Sequence, residues 1–143
     1  MEDVHNLGSV IRCAAGFGAK LIIHEEKESA SLTPAAVKSS AGLAFHLRFS
    51  KTQNLPNTLQ KLAQNGFHII GLDAGTRSLE MRDWIPQFPL ALVLGSEGEG
   101  ISSAVQARCE SLVRIKTEKI LESLNVSHAA AIAMQWVYEN SQT

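Results

Sequence analysis

The sequence predicts an α/β domain with a mostly parallel sheet and helices on both faces. Two observations carry this expectation. Short apolar runs alternate along the chain with helical stretches, which is the order of a parallel sheet covered by helices. The chain is 143 residues long and 45% hydrophobic, enough for one domain with a sizeable core and too apolar for disorder.

The elements follow in order. Met1 to Gly8 reads as a polar loop, where a doubly wound domain usually opens with a strand. Gly8 to Gly16 reads as a short helix carrying Val10, Ile11, Ala14 and Ala15. Leu21 to Ile23 is a strand. Pro34, after Thr33, suits a first helical position, and the helix continues through Ala35 to Ser40. Phe45 to Phe49 alternates apolar and polar residues as a strand does. Asn54 caps a helix whose Leu55, Leu59, Leu62 and Ala63 share one face, and Gly66 ends it. Phe67 to Leu72 is a strand. Asp73 to Phe88 is a longer loop or short helix. Leu90 to Leu94 is a continuous apolar run and suits a buried strand. Ser102 to Cys109 is helical, Ser111 to Ile115 is a strand, and Ser123 to about Tyr138 is a long helix. Ligands of such sheets bind beyond the C-terminal strand ends, here after Leu72, Leu94 and Ile115.

Composition excludes several classes. No apolar run reaches membrane-spanning length, and residues 1 to 20 lack the pattern of a signal peptide. Cys13 and Cys109 make no disulfide framework and belong to no metal-ligand cluster. His5, His24, His46, His68 and His128 show no metal-ligand spacing. A cytoplasmic chain without metal or membrane attachment is expected. The net charge of −1 argues against strong non-specific nucleic-acid binding by this chain alone. A local basic patch remains open, because Arg12, Lys20, Lys38, Arg48 and Lys51 all lie in the N-terminal third.

Three stretches carry chemistry. In Leu92 to Gly100, LVLGSEGEG, a buried strand runs into three glycines and two glutamates. Glycines after a strand let the backbone approach a ligand closely. Glu97 and Glu99 would repel a polyphosphate, and no Gly-Lys-Ser/Thr follows, so a nucleoside or a cation fits better than a nucleotide. The plainer reading is a tight turn with solvated acids. In Glu122 to His128, ESLNVSH, small polar residues recur at every second position before an alanine-rich helix. Capping accounts for one of them; together they also suit a ligand carboxylate or ribose beside free helix amides. In His5 to Arg12, HNLGSVIR, Arg12 sits on an otherwise mostly apolar helix, where a salt-bridged surface arginine is the plainer reading. Ser96 lacks the nucleophile-elbow pattern.

Taken together, Asp3-Val-His-Asn-Leu-Gly-Ser-Val-Ile-Arg12, Leu94-Gly-Ser-Glu-Gly-Glu-Gly100 and Ser123-Leu-Asn-Val-Ser127 resemble motifs one, two and three of the SpoU (TrmH-type) methyltransferases of the SPOUT superfamily, in matching order and separation. The resemblance implies transfer of a methyl group from S-adenosyl-L-methionine to a ribose 2'-hydroxyl of rRNA or tRNA. It also implies a C-terminal trefoil knot and a homodimer with the active site near its interface. Asn6, Arg12 and Glu97 match the family positions for substrate handling and catalysis. Gly95, Ile115 and Leu124 would line the cofactor pocket with Ser123 and Asn125 beside them, and Leu72, Asp73 and Ala74 would face the adenosine. The segment Lys38-Ser-Ser-Ala-Gly42 looks more like the rRNA-modifying branch. The expected organisation is one catalytic domain over residues 1–143, lacking its first strand and any N-terminal RNA-binding domain.

Arginine is effectively always protonated, so Arg12 is expected to orient the ribose and its phosphate and to stabilise a developing alkoxide rather than take the proton. The sequence departs from the family at Val4, where many members have proline. It departs further at Ile115 to Glu122, where Lys116, Glu118, Lys119 and Glu122 replace glycines and their neighbours. These bulkier residues are expected to narrow the pocket or alter its loop. The alternative reading is therefore a methyltransferase-like RNA-binding or assembly module with weakened catalysis.

Overall fold

The computed structural model describes residues 4–25, 42–75, 77–96, 99–118, 121 and 124–141, and for residues 4–6, 44 and 45 the backbone alone. The expected helix at Pro34 lies outside the described residues.

Helix α1 spans Val4–Gly16 and begins four residues earlier than the sequence suggests. Leu7, Ile11 and Ala14 recur at helical spacing and pack together, and Gly8 is buried on the same helix, so the apolar face runs straight through the expected loop. The chain leaves α1 through Gly18 at φ +87, while the Ala19 N–H donates to the Ala14 carbonyl at 2.9 Å, a left-handed helix end. Strand β1 (Leu21–Glu25) pairs in parallel with β2 (Arg48–Thr52), from Leu21 opposite Arg48 to Glu25 opposite Thr52. The expected strand at Phe45 is displaced toward the C-terminus, because residues Leu43–His46 form a 3₁₀ turn instead.

Helix α2 (Leu55–Gln64) forms as its sequence dictates. The Asn54 side-chain oxygen accepts the Asn57 N–H at 3.1 Å, Pro56 sits in the first turn, and Leu59 is buried. Strands β3 (His68–Leu72), β4 (Leu79–Glu80), β5 (Leu90–Val93) and β6 (Ser111–Arg114) make a four-stranded sheet in the order β4-β6-β3-β5, and every pairing in it is parallel. β4 falls in the stretch read as loop or short helix and is followed by a 3₁₀ turn at Met81–Asp83. Helix α3 is reduced to Ser103–Gln106, capped by the Ser102 hydroxyl accepting the Val105 N–H at 3.3 Å. Helix α4 spans Val126–Ser141, starting three residues later and running three residues further than expected.

Helices cover both faces of the larger sheet. Ile69 packs with Leu59 of α2, Val105 of α3, Val93 and Ile101 on one side. Ile70 and Val113 pack with Ala133 of α4, Met81 and Trp84 on the other. Burying each such aliphatic side chain contributes about 1.5–3 kcal/mol. A third cluster joins Ile11 and Ala14 to Leu47, Phe49 and Ile22, with Met134 of α4 against it. The hydrogen-bonded strands thus form two sheets rather than one, and α4 ties them together. No helix among the described residues is long and apolar enough to cross a membrane.

Candidate active site

β5, β3 and β6 lie side by side and parallel, so their C-terminal ends open on one edge. That edge brings together the three chain positions singled out by the sequence: Leu72 to Ala74, Leu94 to Gly95, and Ile115.

The first loop leaves β3 at Leu72. The Asp73 N–H donates to the Val113 carbonyl at 3.0 Å, which extends the β3–β6 ladder by one residue. Asp73 Oδ2 then accepts the Gly75 N–H at 3.1 Å, and the Gly75 carbonyl accepts the Ser78 N–H at 3.1 Å. Asp73 is half-buried, and its other oxygen, Oδ1, has no hydrogen-bond donor among the described residues. Leu72 pairs with Val113 from one side of β6 and Leu79 pairs with the same residue from the other. The chain between them therefore crosses β6 at its C-terminal end.

The second loop is closed on itself. Ser96 and Gly100 exchange two backbone hydrogen bonds, N–H to carbonyl, at 3.2 and 2.9 Å. This brings Gly95 so close to the loop's far side that a Cβ on it would lie 2.3 Å from the Gly100 carbonyl carbon. Gly100 adopts φ +70, and a Cβ there would come within 3.7 Å of Asp73 Oδ1, so the first and second loops touch. Backbone closure explains both glycines without invoking a ligand. It also sets this backbone beside Asp73 Oδ1, which has no hydrogen-bond donor among the described residues.

The third wall comes from the chain after β6. Ile115 packs against the core cluster that also receives Leu72. Lys116, Thr117 and Glu118 are exposed, so the departures from the family pattern at these positions point their bulk to solvent rather than into the core. Leu124 and Asn125 are half-buried. Asn125 caps α4: its Oδ1 accepts the Ser127 N–H at 2.8 Å and the Ser127 hydroxyl at 2.6 Å. The capping explanation therefore accounts for two of the three small polar residues of that stretch.

The described residues do not bring the other predicted residues to this edge. Glu97 and Ser123 lie outside the described residues. Asn6 lies on α1, described by its backbone alone. Arg12 is exposed on α1, which packs against α4 and the 43–46 turn, and it makes no ion pair among the described residues. No hydrogen bond or ion pair joins Arg12 to the three loops among the described residues. A separate polar cleft of about 260 Å³, lined by Glu25, Gln53, Asn54, Leu55 and Pro56, opens at the ends of β1 and β2. It holds none of the predicted site residues. Sequence reasoning missed Glu80, which receives Arg82 Nε at 2.9 Å and an Arg114 guanidinium nitrogen at 3.5 Å. It also missed Ser78, a buried hydroxyl at the start of β4.

Comparison with known proteins gives the family to which the chain belongs. The profile of the SpoU rRNA Methylase family matches residues 1–135. The Bacillus subtilis protein named "Putative TrmH family tRNA/rRNA methyltransferase YacO" is 36% identical over 138 residues, covering 96% of this chain and 55% of its own length. The chain thus spans about half the length of the curated relatives it matches. The SpoU methyltransferase AviRb of Streptomyces viridochromogenes, solved with S-adenosylmethionine, superposes with a TM-score of 0.88 at 24% identity, covering 99% of this chain and 57% of that one. An RNA 2'-O ribose methyltransferase superposes with a TM-score of 0.85 at 25% identity, covering all of this chain and 54% of that one.

Proposed function

Because the chain belongs to the SpoU rRNA Methylase family, we propose that residues 1–143 form a catalytic domain that methylates a ribose 2'-hydroxyl of RNA, rRNA in preference to tRNA, with S-adenosylmethionine as donor. One observation carries the reading: three adjacent parallel strands end together, and their loops place a half-buried carboxylate against a closed glycine loop. The residues fit the donor. Asp73 Oδ1 suits a ribose hydroxyl or a cationic group, and Ile115 and Leu72 offer apolar flanks.

In this reading Leu72, Asp73 and Ala74 hold the adenosine, Gly95, Ile115 and Leu124 wall the pocket, and Ser123 and Asn125 complete it. When bound, S-adenosylmethionine supplies a methyl group on a positively charged sulfur. The protein's part is to hold the 2'-oxygen in line with that carbon, and positioning of this kind supplies much of the rate. Arg12 orients the ribose and its phosphate with a bidentate guanidinium and stabilises charge developing on the oxygen, acting with Asn6 and Glu97. No contact among the described residues joins Arg12 to the three loops, and the proposed working form is a homodimer whose site is completed near the interface. The crossing of β6 by the chain between Leu72 and Leu79 is the passage on which we place the proposed knot. The proposed compartment is the cytoplasm.

The test is calorimetric titration of this chain with S-adenosylmethionine and S-adenosylhomocysteine, followed by nucleoside analysis of treated RNA. Micromolar binding and a 2'-O-methylnucleoside are expected, and no binding at millimolar donor would overturn the reading. Arg12→Lys keeps the charge and loses the planar fork. It is expected to lower kcat at least about tenfold with donor affinity unchanged, the loss of roughly one charge-assisted hydrogen bond. A near-normal rate with a shifted pH profile would show that the guanidinium geometry is not needed.

A further inference from the structure

We propose that Gly71 is a positioning residue for the proposed donor site: its missing side chain is the socket that seats Ile101, and Ile101 sets where the Gly95–Gly100 loop stands against Asp73. The inference rests on the function proposed above and adds a residue to it. Strand alternation puts Gly71 on the same face of β3 as Ile69, the face covered by α2 and α3. Ile69 fills its place there with its own side chain. At Gly71, which is also buried, three neighbours fill the place instead. A Cβ on Gly71 would lie 2.9 Å from Ile101 Cδ1, 2.9 Å from Leu112 Cδ2 and 3.1 Å from Cys109 Sγ. Gly71 has no positive φ, so a side chain there would contest space rather than backbone conformation.

Ile101 is the neighbour that carries the consequence. It follows Gly100 directly, and its backbone nitrogen would lie 2.7 Å from a Cβ on Gly95. It therefore stands at the foot of the pinch that Ser96 and Gly100 close. Its side chain is 6% exposed and packs among Leu59, Ile69, Val93 and Val105. Its carbonyl accepts a hydrogen bond from the Gln106 side-chain amide at 2.9 Å. Ile101 is thus held by its side chain and by its backbone. Protein interiors are packed too densely for a displaced buried side chain to find other room at no cost. A methyl group on Gly71 would displace Ile101, and with it Gly100, whose Cβ position lies 3.7 Å from Asp73 Oδ1. Leu112 is the comparison. Its Cδ2 is as close to the socket, but it lies within β6, opposite Gly71 in the register, and belongs to no loop of the site. The alternative is that Gly71 serves core packing alone.

The test is calorimetric titration with S-adenosylhomocysteine of Gly71→Ala, alone and paired with Ile101→Val or with Leu112→Val. Each paired change removes one of the two atoms at 2.9 Å. Gly71→Ala is expected to bind about fivefold more weakly than the unchanged chain, the lower end of what overpacking costs. Adding Ile101→Val is expected to bring affinity back to within about twofold, and adding Leu112→Val to leave it weak. Unchanged affinity in Gly71→Ala overturns the proposal, whatever happens to its stability in urea. Equal recovery by the two pairs also overturns it, because general relief of a crowded core would not distinguish them. If Gly71→Ala alone does not fold, the two pairs are compared directly, and equal affinities decide against the proposal. Absence of binding in the unchanged chain would remove the proposed function and this role together. Binding that Gly71→Ala leaves untouched would remove this role alone.

Discussion

At the scale of single residues, Gly95 is where the chain has least freedom. A methyl group there would sit 2.3 Å from the Gly100 carbonyl carbon and 2.7 Å from its oxygen, both backbone atoms that no rotamer change can move. Gly95→Ala must therefore open the Ser96–Gly100 pinch. The expected result is a loss of about 1–3 kcal/mol in urea denaturation, the range for a core forced to take extra volume, together with loss of S-adenosylhomocysteine binding. Gly16 is the control. Nothing lies within 4 Å of a Cβ added there, and it ends α1 without a left-handed φ. Gly16→Ala is expected to be neutral or to stabilise by about 0.5–1 kcal/mol. Equal effects at the two positions would remove the steric argument. Cys109 gives a pH-dependent counterpart. Burial pushes its thiol above the ordinary value of 9.0. Its neutral form is favoured in the folded state, so the stability it contributes is fully present below pH 9.0 and is lost as pH rises through the folded value. At pH 9, a disulfide reagent is expected to modify Cys109 at least about tenfold more slowly in the native chain than in urea, since the thiolate is the reactive form. Equal rates would show that the thiol is neither buried nor shifted.

Elements differ in how far their own residues determine them. α2 was legible because cap, proline, apolar face and closing glycine agree locally. β3, β5 and β6 were legible as apolar runs, and their ends gave the candidate site, because a parallel sheet puts those ends on one edge. α1 was half-legible: Gly8 reads as a breaker in sequence, but its burial permits close packing and the Leu7, Ile11, Ala14 face overrides it. β2 was displaced because its span is set by pairing with β1, a partner in another part of the chain. β4 was illegible for the same reason. Two residues carry no period, and Leu79 and Glu80 become a strand because β6 pairs with them. Ser78 was hidden along with it, since its burial depends on that pairing. The side chain of Glu80 adds to the pairing. It is 19% exposed and lies between Arg82 and Arg114, its register partner on β6. Glu80→Gln keeps the shape and removes the charge. It is expected to cost about 0.5–1 kcal/mol in urea denaturation, the range of a partly exposed ion pair, with the difference shrinking in 1 M salt. A cost that salt does not reduce would mean that Glu80 acts through hydrogen-bond shape alone.

For the whole molecule, charge bears on how the proposed RNA substrate would be held. Thirteen basic and fourteen acidic residues leave a net charge of −1, so no global field draws the chain to a polyanion. In the proposed function, recognition would then come from a few cations at the right places, with Arg12 exposed and not ion-paired among the described residues. The number of phosphates neutralised sets how steeply affinity falls with salt, with a slope of about −0.7 per phosphate on single strands. If Arg12 and one or two further cations make the phosphate contacts, the slope is expected to be no steeper than about −2. The dissociation constant for unstructured RNA would then lie in the range of about 10–100 μM near physiological salt, typical of non-specific binding. Fluorescence polarisation of a labelled oligoribonucleotide between 50 and 200 mM salt measures both quantities. Arg12→Ala should flatten the slope by a little under one unit, because a phosphate contact contributes about equally on every sequence. A slope of −6 or steeper in this chain would mean that a continuous basic surface forms despite the balanced composition. The RNA would then be held by the domain's surface at large rather than by Arg12 and the few residues beside the reacting ribose.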